Sequence, residues 1–211
     1  MGFYVKKLVS ICGDELSTKH ANHNCSVLTS SSVCEQLKEL LAVKNGFYGF
    51  ESALHVFPYE STDEEIGLLD WNEKSLWIAY YNDMALDAFY FAEDVFGSQF
   101  CVRNDGIYSF DPETADFSKI AETINDWCHL ILNDYNILTG YSLAHSWQKL
   151  HGAIPPGHRL VPKIPFVTGG EYDIENLYLE CTYKSLIARA NLALQIRDIP
   201  DGNTIKMITQ E

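Results

Sequence analysis

The sequence predicts an α+β domain, a mainly antiparallel central sheet flanked by helices. Three observations carry that expectation. Short aromatic or β-branched runs separated by turns fill residues 76–110, and apolar repeats at three and four mark helices on either side. No internal repeat or low-complexity linker divides the chain. The 211 residues fall near the upper end of one ordinary domain, and 46% hydrophobic with 13% aromatic content excludes a disordered polymer.

The elements follow in order. Residues 3–11 read as a short apolar strand and 17–32 as a polar loop, so 1–31 stands apart from the domain proper at 32–211. Ser32 with Glu35 opens a helix, Leu37, Leu40 and Leu41 line one face, and Asn45-Gly46 stops it. Residues 47–58 are too aromatic for a solvated linker and should pack on the core. Strands are expected at Leu76–Tyr81, Ala88–Phe91, Gln99–Arg103 and Ile107–Phe110, with Asn104-Asp105-Gly106 as a tight hairpin. In the first two, both alternating sets are apolar, so helices should cover much of both faces.

Asp116 can cap a helix over 117–133, where Phe117, Ile120, Ala121, Ile124, Trp127, Cys128 and Ile131 recur at helical spacing. A shorter helix at about 141–150 carries Leu143, Trp147 and Leu150. Pro155-Pro156-Gly157 breaks the chain, and Pro162 and Pro165 allow 159–167 to be extended but not central in a sheet. Gly169-Gly170 marks a tight turn, not a phosphate loop. A last helix covers 183–197, and a turn at Pro200–Asn203 leads to a final strand, Thr204–Ile208.

Charge is distributed unevenly. The formal net charge is −14. Residues 60–94 hold ten carboxylates (Glu60, Asp63, Glu64, Glu65, Asp70, Glu73, Asp83, Asp87, Glu93, Asp94) against Lys74 alone. Residues 95–148 hold seven anions and two cations, and the two ends of the chain are each balanced. Interleaved Trp71, Trp77, Tyr80, Tyr81, Phe89, Tyr90 and Phe91 argue that this acidic run is folded. A structured acidic surface attracts basic partners and repels nucleic acid. Its candidate partner-binding residues are Asp63, Glu64, Glu65, Asp70, Trp71, Glu73, Asp83 and Asp87, with Trp71 as an exposed anchor and Trp77 in the core.

No apolar run reaches the ~20 residues needed to span a bilayer. Only Leu8–Ile11 follow Lys6-Lys7, too short for a signal-peptide core, and Lys6 replaces the Ser or Thr that a myristoylation signal requires. A cytoplasmic protein is expected. The six cysteines are scattered and none forms C-x-x-C, which suits buried thiols in a reducing compartment. Cys12, His20, His23, Cys25 and Cys34 match no zinc spacing, so neither metal nor cofactor is expected. Glu93-Asp94 is the best acid–base candidate. Adjacent strand carboxylates point to opposite faces, however, which favours a turn or hydrogen-bonding role. His145 lacks a recognisable nucleophile nearby and reads as structural.

Several blocks together resemble the SUKH superfamily, which includes bacterial polymorphic-toxin immunity proteins and a yeast cell-wall-assembly regulator. They are residues 45–54 (NGFYGFESAL), 91–100 (FAEDVFGSQF), 108–114 (YSFDPET), 143–148 (LAHSWQ), 159–166 (RLVPKIPF), Gly169–Tyr172 and Glu175–Tyr178. The resemblance implies a sheet flanked by helices, no shared catalytic centre, and a function of sequestering a toxin domain, often a nucleic-acid-targeting enzyme. The resulting expectation is an immunity-type, non-enzymatic protein that neutralises a cognate toxin through its acidic surface, without binding nucleic acid or membrane itself. Two rivals are an intracellular adaptor or regulatory scaffold, and a hydrolase using Glu93, Asp94 or His145.

Overall fold

The computed structural model describes residues 1–18, 32–200 and 202. Two helices, α1 (Phe3–Ile11) and α2 (Ser32–Val43), precede the sheet. The sheet is a six-stranded antiparallel meander, each strand pairing with the next. Its strands are β1 (Phe47–Gly49), β2 (Leu54–Val56), β3 (Phe89–Asp94), β4 (Gln99–Arg103), β5 (Gly106–Phe110) and β6 (Phe117–Ala121). Between β2 and β3 lie a one-turn helix, α3 (Leu68–Trp71), and a 3-10 helix at Ile78–Tyr81. Then come α4 (Ile124–Thr139), α5 (Tyr141–His151), a separate hairpin of β7 (His158–Pro162) with β8 (Leu177–Cys181), and α6 (Thr182–Ile196). The α+β class is therefore as the sequence predicts.

The sheet is covered on both faces. Phe91 and Phe100 meet Trp127 of α4 edge-on, at 5.0 and 5.6 Å between centroids. Tyr90, one residue before Phe91 and so on the other side of the pleat, meets Trp77 at 4.7 Å. Phe110 joins Tyr90, Trp77 and Tyr81 on that second face. A smaller core of Ala53, Val95, Phe96, Ala144, Trp147, Ile154, Leu160 and Leu177 ties α5 and the β7–β8 hairpin to the β3–β4 turn.

Three expectations are corrected. Residues 3–11 form a helix, because Val5, Leu8 and Val9 bury one stripe beside α4 while Lys6, Lys7 and Ser10 stay outside. The run 76–81 is a turn followed by the 3-10 helix, not a strand. Trp77, Ile78 and Tyr81 are buried and Ala79 and Tyr80 exposed, a helical spacing that a short all-apolar run conceals. The predicted helix 117–133 divides. Phe117–Ala121 pairs with β5 as an edge strand, and Thr123, not Asp116, caps α4 by accepting a 3.1 Å bond from the Asp126 N–H. The expected strand 204–208 and most of the polar loop 17–32 lie outside the described residues.

Gly140 joins α4 to α5 at φ +71°, and a Cβ there would stand 2.5 Å from the Phe96 ring. Gly140→Ala should therefore lower stability by about 1–3 kcal/mol, combining left-handed backbone strain with overpacking. Urea unfolding monitored by tryptophan fluorescence checks this.

Candidate functional site

Strand register builds the most unusual feature of the molecule. Tyr48 pairs with His55, His55 with Glu93, Glu93 with Gln99, and Gln99 with Phe110. Directly opposed residues share a face, so four polar side chains form a row across β1–β4 on the face that carries Trp77. Three of the four are buried, and Tyr48 at the β1 end is half-buried. His55 and Glu93 are each 1% exposed and Gln99 is fully buried.

Buried polar groups need partners, and most here have them. Arg159, projecting from β7, places its Nε 2.8 Å from Glu93 Oε1. Its Nη1 donates to the His158 carbonyl at 3.0 Å, and the guanidinium lies over the Tyr48 ring at 5.5 Å. Glu93 Oε1 is also 3.0 Å from His55 Nδ1, and Gln99 donates to Oε2 at 3.1 Å. Burial alone would raise the Glu93 pKa. Arg159, His55 and Gln99 outweigh it and hold the carboxylate below its ordinary range. Burial lowers the His55 pKa, more than the Glu93 bond raises it, so the ring stays neutral. Facing a carboxylate, Nδ1 must carry the proton, which leaves a lone pair on Nε2.

The surface expectation holds for part of its residues. Glu60, Asp63, Glu64, Asp70, Glu73, Asp83 and Asp87 are exposed. Among the described residues only Asp83 of these enters an ion pair, with Arg197 at 3.3 Å. They sit on turns and short helices between β2 and β3, not on strands. Glu65 and Trp71 correct the expectation, being 5% and 2% exposed. Glu65 accepts the Tyr48 hydroxyl at 2.6 Å, and the Trp71 indole stacks on Phe57 while donating to Gln99 at 2.9 Å. Ser61 hydrogen-bonds Asp70 and also accepts from the Gly67 N–H, where a Cβ would strike the Glu60 carbonyl carbon at 2.2 Å.

The acid–base candidates are dispersed. Glu93 belongs to the row, whereas Asp94 turns away and its Oδ1 accepts from the N–H groups of Phe96 and Ser98, both at 2.8 Å. Burial raises the Asp94 carboxyl to about 7 against those bonds. His145 on α5 binds the exposed Glu51 at 2.7 Å, and Gln148 donates to the Glu51 carbonyl. Among the described residues no group of three or more His, Cys, Asp or Glu side chains is arranged to hold a metal ion. His20, His23 and Cys25 lie outside that set. No described helix is long and apolar enough to cross a membrane. Sequence reading missed His55, Gln99 and Arg159 as site residues. The available signal was three polar residues inside otherwise apolar strand segments.

No family model and no curated protein matches the chain. Among solved structures it is similar to one described as the crystal structure of Atu4351 from Agrobacterium tumefaciens. The TM-score is 0.49 at 11% identity, over 90% of this chain and 80% of that one. A likeness at that level carries neither fold nor function across.

Two outcomes are expected. Arg159→Met should cost about 3–5 kcal/mol by leaving Glu93 buried and unpaired, and adding Glu93→Gln should restore part of it. Denaturant unfolding of both variants measures the coupling. The His55 contribution to stability should fall as pH drops through about 6.5, because there the unfolded chain takes up a proton at His55 that the folded chain refuses. Asp94 acts in the opposite sense, since its folded carboxyl, raised to about 7, takes up a proton that the unfolded one refuses. His55→Gln, which keeps a donor but cannot titrate, should therefore make stability rise more steeply than in the wild type as pH drops through this range.

Proposed function

We propose that this chain is an immunity-type protein that binds and neutralises a toxin domain with a basic, nucleic-acid-directed surface. The observation that carries the reading is the exposed carboxylate set at residues 60–87. It is almost free of neutralising cations and is mounted on a segment fixed from beneath. Asn72 ties that segment to β3 by donating to the Tyr90 carbonyl and accepting the Tyr90 N–H, both at 2.8 Å. Trp77 donates to the Trp71 carbonyl at 3.0 Å, and Tyr81 to the Pro112 carbonyl at 2.8 Å. A surface held in this way presents negative charge without paying to order it at each encounter.

The segments that resemble the SUKH superfamily support the same reading through their placement. Residues 45–54 hold β1 and the turn into β2, 91–100 the end of β3 and the start of β4 with the turn between them, 143–148 lies in α5, and 159–166 begins in β7. Tyr48, Glu93, Gln99 and Arg159, drawn from three of these segments, meet in the buried row. A toxin that grips phosphate must display lysine and arginine. An acidic partner occupies those groups in place of the nucleic acid backbone and gains a fast, salt-sensitive association. In this role the chain is not an enzyme and works in the cytoplasm beside the toxin it restrains.

Co-expression with toxin domains encoded beside this chain, scored for growth rescue and a stable complex, tests the function directly. The electrostatic part has its own test. Neutralising Asp63, Glu64, Asp70, Glu73, Asp83 and Asp87 to their amides should slow association about tenfold or more and flatten its salt dependence. The unfolding midpoint should barely move. Glu65 is left intact in that variant because it is a buried partner of Tyr48. Association at the wild-type rate would remove charge complementarity from the account.

A further inference from the structure

A cavity of about 210 Å³ opens beside the buried row, between the Pro156–His158 loop, the start of α6 and the acidic segment. His55, Phe57, Glu65 and Trp71 form its inner wall, and the exposed Glu64 lines it at the solvent end. That volume is below the ~300–1,000 Å³ of ordinary small-molecule pockets. It suits one side chain or a molecule of a few heavy atoms.

The chemistry of the wall is one-sided. His55 Nε2 is buried and has no hydrogen-bond partner. Because Nδ1–H is committed to Glu93, Nε2 offers a lone pair. Glu65 Oε2 stands 3.7 Å from it, too far for a hydrogen bond between them and well spaced for one donor group to bridge both. Neither lysine nor arginine lines the cavity. Glu65 and Glu93 both line the cavity, and the one guanidinium beside them, that of Arg159, pairs with Glu93, which leaves Glu65 without an ion-pair cation of its own. An unsatisfied acceptor and an unneutralised carboxylate, flanked by aromatic rings, call for a group with several N–H donors, a positive charge and an apolar stem.

We propose that this cavity receives one primary alkylammonium group, its nitrogen bridging His55 Nε2 and Glu65 Oε2 and its methylenes lying along Phe57 and Trp71. The group is a lysine side chain of the protein partner or a free aliphatic amine. The lysine source rests on the immunity reading, and the cavity chemistry does not. An ammonium supplies three donors on a flexible stem, which matches two acceptors at the end of a narrow, largely apolar space. A lysine seated here would be a desolvated anchor beneath the exposed carboxylates, where a single buried residue carries much of the binding energy.

The test titrates the full chain with n-butylammonium chloride, following the His55 ring nitrogens by long-range ¹H–¹⁵N NMR and binding by calorimetry. Tetramethylammonium chloride, which has no N–H, serves as the control at matched ionic strength. The expected result is a saturable shift of His55 Nε2 with n-butylammonium, none with tetramethylammonium, and binding at least tenfold weaker in Glu65→Gln. The amide keeps an acceptor for Tyr48 and removes the charge. Absence of a saturable shift in the wild-type chain, an equal response to tetramethylammonium, or undiminished binding by a folded Glu65→Gln overturns the proposal. Should that variant fail to fold, the wild-type comparison of the two cations decides alone. Competition between n-butylammonium and a cognate toxin domain identifies the source as a partner lysine, and independent binding identifies it as a free amine. Growth rescue does not enter this readout, so failure of the immunity reading and failure of the cavity reading are separable.

Discussion

The contact between Arg159 and Glu93 fixes more of this molecule than any other. Both charges are removed from water, and neither is tolerable alone at that depth, so the hairpin carrying Arg159 must sit where β3 presents Glu93. That requirement sets the position of β7, and with it the small core that joins α5 to the sheet. The Leu160 N–H donates to the Val95 carbonyl at 2.8 Å, which continues the same alignment through the backbone. Arg189 of α6 reinforces it by donating to the Phe96 carbonyl at 2.7 Å. Two buried arginines from the C-terminal third of the chain thus hold the β3–β4 hairpin, Arg159 at Glu93 and Arg189 at the Phe96 carbonyl.

The acidic segment depends on the same row. Of its carboxylates, Glu65 is turned inward to accept the Tyr48 hydroxyl, and Trp71 reaches down to Gln99. These two residues leave the exposed surface, and their inward turn is what holds the remaining exposed groups in place. An acidic segment of this composition would otherwise repel itself into an open chain. Here the aromatic side chains supply burial, and polar contacts from Glu65, Trp71 and Asn72 to the sheet supply register. The negative field outside and the polar row inside are therefore parts of one construction.

Much of the fold was legible in the sequence, and the losses have physical causes. The β4–β5 hairpin was readable from the turn formers Asn104-Asp105-Gly106, of which only Gly106 takes a positive φ, and α2, α5 and α6 because their apolar spacing is unambiguous. The run 76–81 misled because it is apolar on every side, and period carries no information when no polar residue interrupts it. Residues 117–121 misled because their apolar positions happened to continue the true helical phase of α4. The site was less legible still. Glu93 and Asp94 could be assigned to opposite faces by alternation, and the structure bears that out. That Glu93 would meet His55, Gln99 and Arg159 depends on pairing between strands and on a hairpin far along the chain, which local pattern does not encode.

The distribution of satisfied and unsatisfied groups bears on the rival readings. A general acid or base needs an oxygen or nitrogen free to reach a substrate. Glu93 spends both oxygens on Arg159, His55 and Gln99, Asp94 spends Oδ1 on closing a turn, and His145 spends Nδ1 on Glu51. Trp127 Nε1 and Arg159 Nη2 are buried donors without a partner. At the cavity and along residues 60–87 the unspent capacity consists of lone pairs and negative charge, at His55 Nε2 and Glu65 inside and on the exposed carboxylates outside. Lone pairs and negative charge beside aromatic walls suit the capture of a cation that carries N–H donors. The physical argument for a basic partner thus comes as much from which groups the fold leaves unpaired as from the number of acidic residues in the chain.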